Sequence, residues 1–303
     1  MNGGDIMSYE KPTPEPITYG GEKCVLLKNV TDFNASRVFD CGQCFRFDEK
    51  DGVIDGVAMG RRIKIKQDGD NLYLSGTTPA EYNEIWEKYL GLDEDYGAIN
   101  ADVCEKFGVY NSVINDAVKA ASGIRILRQD HWETLCSFII SQNNNIPRIK
   151  KIIADMSRAL GEKFESFGEE CYSFPTPEAI LAAGIPALNG LKMGFRSKYV
   201  TDAAARVLDG RVDLDEVDKM SFEEGEEYLM QICGVGKKVA DCTLLFGYHK
   251  TEAFPVDVWI RRVLEKYYPD GIDMTRLGKY AGIAQQYLFC YERYIISESE
   301  NGK

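Results

Sequence analysis

The run Cys233-Gly234-Val235-Gly236-Lys237-Lys238-Val239-Ala240-Asp241-Cys242 restricts the possible folds more than any other stretch. Two glycines around one valine do not continue a helix; they suit a tight turn with positive φ and close backbone approach. Upstream, Ser221-Phe222-Glu223-Glu224 is a capping box: a hydroxyl serves one free N–H, and a carboxylate three residues on reaches back to another. Helices are therefore predicted over 222–233 and 238–246, joined by the glycine turn. The free N–H groups at the start of the second helix make a ready phosphate site. Lys238 lies in that first turn, where a cation opposes the helix dipole at a cost of up to about 1 kcal/mol. A charge placed against the dipole suggests a chemical use.

Lys238 and Cys242 are four residues apart and share one helix face. A free lysine is almost wholly protonated at neutral pH. A nucleophilic lysine therefore needs desolvation, the helix start, or a cationic neighbour such as Lys237. A phosphate-contacting or solvated lysine is the simpler reading of the residue alone, and Cys242 alone reads as a small core side chain. Asp257 follows in Phe254-Pro255-Val256-Asp257-Val258-Trp259, ahead of a helix predicted over 258–267. It suits an N-cap, and a cap would also hold the carboxylate rigid for chemistry.

The chain has 303 residues, enough for two domains, with 44% hydrophobic and 28% charged residues, as in soluble globular proteins. Its net charge of −12 speaks against nucleic-acid binding only as a global index. Residues 209–227 hold nine acids and two bases, whereas 143–151 carry Arg148, Lys150 and Lys151 with no acid. Residues 190–200 likewise carry Lys192, Arg196 and Lys198 with no acid. Local fields within a Debye length of about 10 Å govern phosphate contact. The pattern leaves open whether these bases form one surface or several. No apolar stretch approaches the ~18 residues of a membrane helix, and the proline-bearing N-terminus lacks a signal-peptide core. Nine scattered cysteines fit a reducing compartment better than a disulfide framework.

Residues 18–100 read as β-rich. Alternating runs at 53–59, 63–66 and 72–74 are separated by Asp51-Gly52, Gly60 and Asp68-Gly69, which are hairpin signals. A helix is expected over 79–90. From about 114 the period becomes helical, with helices expected over 118–121, 132–141, 147–160, 177–183, 196–208 and 276–296, besides those of the hairpin. The fold class is α+β: an N-terminal antiparallel sheet domain with a few helices (18–113), then a helical domain with the helix-hairpin-helix motif (114–303). Residues 1–17 are expected to be a disordered lead-in.

Cys41-Gly42-Gln43-Cys44 has zinc-ligand spacing at one end only, and His131 and His249 are isolated. No metal site and no cofactor are expected. Ser141-Gln142-Asn143-Asn144-Asn145 closes an apolar helix, either as a capping loop or as a group that bonds nucleotides.

Five ordered blocks resemble the 8-oxoguanine DNA glycosylase/lyase family of the helix-hairpin-helix glycosylases. They are Gly42-Gln43-Cys44-Phe45-Arg46, Asn143 to Arg148, Gly194 to Tyr199, the hairpin with Pro255-Val256-Asp257-Val258, and Ala281 to Phe289. The resemblance implies that Lys238 attacks C1′ of a flipped nucleotide, that Asp257 stabilises the charged sugar, and that a Schiff base then permits β-elimination. It implies that the Gly42 carbonyl accepts the N7 hydrogen that 8-oxoguanine has and guanine lacks. Gln285 would read the Watson–Crick edge, with Phe289 and Cys242 on the two faces of the base. Asn143 would fill the vacated stack, Phe195 would act as a wedge, and Arg148 and Arg196 would read the orphaned cytosine. The turn at Gly234, Gly236 and Lys237 would hold a phosphate. Three positions depart from the family pattern: Phe195 stands for a common Tyr, Trp259 for a His, and Cys44 for a Ser. The implied partner is double-stranded DNA containing an oxidised purine. A monomer away from membranes is expected, in the cytoplasm of a bacterium or archaeon or in a eukaryotic nucleus. Two other readings compete. A monofunctional alkylated-base glycosylase would not need Lys238. A non-catalytic hairpin module would leave Gly42, Gln285 and Phe289 unexplained.

Overall fold

The computed structural model describes residues 9–296. Its first part is a six-stranded antiparallel sheet in the order β1-β2-β6-β5-β4-β3. The strands are β1 (Glu15–Tyr19), β2 (Glu22–Leu27), β3 (Phe47–Lys50), β4 (Val53–Ala58), β5 (Arg61–Asp68) and β6 (Asn71–Ser75). Asp51-Gly52 and Met59-Gly60 both have positive φ, the requirement of a two-residue turn that matches strand twist. Register follows the alternation: Ile54 faces Ile65, and Ile65 faces Leu74. This inner face packs on α1 (Ala35–Asp40) and on a helix over 79–89, made of α2 (Pro79–Glu81), a π-helical turn (Tyr82–Trp86) and α3 (Glu87–Tyr89).

The second part is helical. Its helices are α4 (Tyr96–Gly108), α5 (Val113–Ala120), α6 (His131–Ser141), α7 (Ile146–Leu160), α8 (Pro177–Gly190) and α9 (Arg196–Leu208). Next come α10 (Phe222–Leu229), α11 (Lys237–Gly247), α12 (Val258–Tyr267) and α13 (Ala281–Cys290). Most of α6, α11 and α13 is buried on every side. Such helices belong to the middle of a domain, and here they carry the residues on which function turns. Among the described residues, no helix is long and apolar enough to cross a membrane.

Several expectations need correction. The lead-in expected over 1–17 overlaps β1, which pairs Glu15 to Tyr19 with β2, and Tyr9 donates its hydroxyl to Leu92 O at 2.8 Å. Residues 1–8 and 297–303 lie outside the described residues. There is no break in packing at the expected 113/114 boundary: Tyr96, Ile99, Val103 and Phe107 already belong to the helical core. The helix expected over 222–233 stops at Leu229. The helix expected over 276–296 becomes two 3-10 turns (Met274–Arg276, Gly278–Tyr280), α13 and a π-helical turn (Tyr291–Ile296). A small hairpin, β7 (Lys163–Ser166) and β8 (Glu169–Tyr172), sits inside the helical part, where no strands were expected.

The two parts share core. Cys41 and Phe45 pack with the helices, while Cys44 between them packs with the sheet. Buried Arg125 ties the parts together by donating to the carbonyls of Asp32, Gly91, Glu94 and Thr31. The loop holding Gly42 is thereby pressed against the centre of the helical domain.

Candidate active site

A cleft of about 640 Å³ opens where that loop meets α6, α11, α13 and the segment before α12. It is lined by Gly42, Asn143, Lys238, Cys242, Asp257, Gln285 and Phe289, which lie far apart in the chain.

One wall carries Lys238 and Asp257, each at a helix start. Gly236 is the N-cap of α11 and offers no side chain, so no side chain caps the first turn. Gly236 O takes the Val239 amide at 2.9 Å, and no described hydrogen bond takes the Lys237 or Lys238 amide. Lys238 Nζ donates to Ser141 Oγ at 3.2 Å and lies 5.2 Å from the Phe138 ring centre. Asp257 is the N-cap of α12, where Oδ1 accepts from the backbone N–H of Trp259 and of Ile260, both at 2.9 Å. The carboxylate is held by two amides and still lines the cleft, so the cap and chemical readings hold together. Burial pushes the Cys242 thiol up to about 11, against the opposing Lys238 ammonium. It is a neutral, apolar part of the wall at physiological pH.

The other wall is built to meet hydrogen bonds. Gln285 is 4% exposed, and its Oε1 has no partner among the described residues. A buried acceptor left open costs about 1–3 kcal/mol, so an incoming donor is favoured there. Phe289 lies one turn further along α13. Gly42 has φ +79°, and a β-carbon there would approach Ile146 Cδ1 at 3.4 Å and the Phe289 ring at 3.7 Å. The carbonyls on either side of it are occupied. Gln286 Nε2 donates to Cys41 O and Gln129 Nε2 donates to Gln43 O, both at 2.7 Å. No described hydrogen bond ends on Gly42 O.

The hairpin is partly as expected. Gly234 has φ +79°, and a β-carbon there would run into the Tyr199 ring. Gly236, by contrast, has φ −100° and open space where a β-carbon would sit. It needs neither positive φ nor close approach, and its role is the N-cap. Lys237 is not a free cation beside Lys238: its ammonium pairs with Glu226 and with Asp241 Oδ1. Burial raises the Asp241 carboxyl to about 7, against the pull of Lys237.

The basic segments at 143–151 and 190–200 meet, because Arg148 donates to Lys192 O at 3.2 Å. That surface is smaller than the charges suggest. Lys150 pairs with Asp48 and Lys151 with Asp155, which leaves Arg148, Lys192 and Lys198 outside the described ion pairs. Arg196, expected to read a base, is 3% exposed and holds the Asn143 loop instead. It donates to Gln142 O, to Asn143 O at 2.8 Å and to Met193 O at 3.1 Å. Asn143 itself is exposed at φ +48°. Phe195 is 45% exposed, with the Arg196 guanidinium 4.5 Å from its ring centre. Arg148, Phe195, Arg196, Gly234, Gly236 and Lys237 are not among the residues that line the cleft. Sequence reading missed Gln286 and Gln129. Their one signal is an amide side chain inside or beside an otherwise apolar run, as in Ala284-Gln285-Gln286-Tyr287. Among the described residues no group of three or more His, Cys, Asp or Glu is placed to hold a metal.

A first-turn lysine after a glycine hairpin, sharing a cleft with a capped aspartate, defines a DNA glycosylase of the helix-hairpin-helix class. Comparison with known proteins agrees and narrows the class. Residues 25–135 match the 8-oxoguanine DNA glycosylase N-terminal domain, and 136–273 match the HhH-GPD superfamily of base excision DNA repair proteins. The solved structure of MBOgg1 with a low-affinity DNA ligand is 38% identical, covers 96% of this chain and 99% of that one, and has a TM-score of 0.86. The Clostridium acetobutylicum 8-oxoguanine glycosylase/lyase, bound to duplex DNA with cytosine opposite 8-oxoG, is 33% identical. That match covers 97% of this chain and 100% of that one, with a TM-score of 0.87. A probable N-glycosylase/DNA lyase of Methanothermobacter thermautotrophicus is 32% identical over 57% of this chain, and the match spans 65% of that relative's length. The chain belongs to the 8-oxoguanine DNA glycosylase family.

Proposed function

We propose that the chain excises 8-oxoguanine paired with cytosine from duplex DNA and then nicks the strand, with Lys238 as nucleophile. Lys238 Nζ first gives its ammonium proton to water and then attacks C1′ of the flipped nucleotide with the freed electron pair. The C1′–N9 bond breaks, and the base leaves with the electron pair and takes up a proton. Positive charge develops on the sugar as this bond lengthens, and the fixed Asp257 carboxylate stabilises it. Opening of the sugar ring gives a C1′=N imine to Lys238. The imine acidifies the C2′ hydrogen, whose loss expels the 3′ phosphate; water then frees the lysine. The opposite wall selects the base. Gly42 O accepts the N7 hydrogen, Gln285 Oε1 accepts from the Watson–Crick edge, and Phe289 and the neutral Cys242 thiol flank the ring. Guanine would set its N7 lone pair against Gly42 O, a loss of about 1–3 kcal/mol. Arg148, Phe195 and the Asn143 loop face the gap and the orphaned cytosine, and the first-turn amides of α11 hold a phosphate. The protein acts as a monomer wherever DNA lies, in the cytoplasm or in a nucleus.

The observation that carries this reading is the open buried acceptor of Gln285 in the same cleft as Lys238 and Asp257. The test is a duplex with 8-oxoguanine opposite cytosine, followed by mass spectrometry of the released base and gel analysis without alkali. Free 8-oxoguanine and a nicked strand are expected. Release of base with a strand nicked only after alkali would contradict the lyase assignment, and release of neither would contradict the reading.

A further inference from the structure

We infer that Gln286 is a positioning residue for base discrimination, acting by holding the peptide that precedes Gly42. The inference rests on the assignment of Gly42 O as the acceptor of the N7 hydrogen.

Gly42 has no side chain to anchor it, and at φ +79° it has the wide conformational freedom of glycine. Discrimination between a base with an N7 hydrogen and one with a lone pair depends on where a single carbonyl points. Hydrogen-bond strength falls steeply when donor and acceptor lose alignment. The loop therefore needs outside support, and two glutamine amides supply it. Gln129 holds Gln43 O from the chain behind, and Gln43 Nε2 is itself tied to Val38 O and Arg125 O, both at 2.9 Å. On the other side Gln286 Nε2 donates to Cys41 O at 2.7 Å, while the Cys41 thiol donates to Val38 O and accepts from Gln43 Nε2, both at 3.2 Å.

Gln286 is suited to this task. It is 3% exposed, on a helix buried along its whole length, so its rotamer is set by packing. Its amide also lies 3.9 Å from Cys290 Sγ, a weak second contact. It adjoins Gln285, whose open acceptor meets the other edge of the base. One turn of α13 thus sets both the group that reads the base directly and the group that fixes the second reader.

Two shape-preserving variants test the inference. Gln286→Met keeps volume and removes the donor, and Gln286→Glu places an acceptor against Cys41 O. Three quantities are measured for each: single-turnover excision from 8-oxoguanine·cytosine duplex, affinity for uncleavable duplexes with 8-oxoguanine or guanine, and nicking of a preformed abasic site. An abasic site has no base to read, so nicking reports on Lys238 and on folding. The expected result is a roughly three- to tenfold loss in excision and in the 8-oxoguanine-over-guanine affinity ratio, larger for Gln286→Glu, while nicking falls much less. Parallel loss of excision and nicking would overturn the inference and leave Gln286 a packing residue. An unchanged affinity ratio in Gln286→Met would overturn it as well. If the unmodified protein itself shows no preference for 8-oxoguanine over guanine, the Gly42 reading fails first, and the two failures are told apart.

Discussion

The two walls of the cleft are built by opposite means. The wall with Lys238 and Asp257 uses local structure, since each residue sits at a helix start within a short contiguous motif. The wall with Gly42 and Gln285 uses distant contacts: Cys41 O is held by a side chain 245 residues away, and Gln43 O by one 86 residues away. Chemistry common to many lesions needs a nucleophile and a carboxylate at fixed spacing, which a turn between two helices supplies. Selection of one base needs a fitted surface, which only tertiary packing supplies. Reaction and recognition should therefore be separable by mutation.

The largest separation is expected from Asp257→Asn. Asparagine still caps α12, so stability should change by less than about 0.5 kcal/mol. Excision should fall by roughly a hundredfold or more, because the developing charge loses its counter-ion. Affinity for an uncleavable 8-oxoguanine duplex should hold, and a parallel loss of affinity would place Asp257 in recognition. On the other wall, Gln285→Leu should weaken that affinity and slow excision by roughly ten- to a hundredfold while abasic-site nicking persists. Equal loss of both activities would break the division between walls.

The division also explains what could be read from sequence. Lys238, Asp257 and the Ser221 to Glu224 capping box were legible because caps, turns and first-turn charges are local facts. The hairpin turns of the sheet were legible for the same reason. Gln286 and Gln129 were not, because their partners are set by how the two parts of the molecule dock. Arg196 shows the converse. A basic residue in an acid-free segment reads as a surface contact, yet packing turns it inward onto the Asn143 loop. Lys237 stays exposed, but its ammonium pairs with Glu226 on the preceding helix. The helical part begins before its expected start because Tyr96, Ile99, Val103 and Phe107 of α4 pack in the helical core.

Smaller effects sharpen the comparison further. Gly234→Ala should cost about 1–3 kcal/mol, through positive φ and the Tyr199 ring, measured by denaturant unfolding. Gly236→Ala should cost far less, since its backbone is extended and its surroundings open. Equal costs would contradict the roles assigned to the two glycines. A further effect concerns pH. Burial raises the Glu133 carboxyl to about 7 despite the Arg46 guanidinium. The folded state therefore holds this proton when the unfolded chain has released it, between about pH 4 and pH 7. The Glu133 contribution to stability should fall as pH rises through that window and level off above it. In Glu133→Gln the melting temperature should lose that part of its decline between pH 5 and pH 8; an unchanged slope would contradict the raised carboxyl.

The central claim is that Lys238 forms the covalent link to the sugar. Borohydride reduction during reaction with an 8-oxoguanine·cytosine duplex, followed by peptide mapping of the trapped adduct, tests it most directly. A protein–DNA adduct on Lys238 is expected, and it should disappear in Lys238→Gln. An adduct mapped to another residue, or one that persists undiminished in Lys238→Gln, would contradict it.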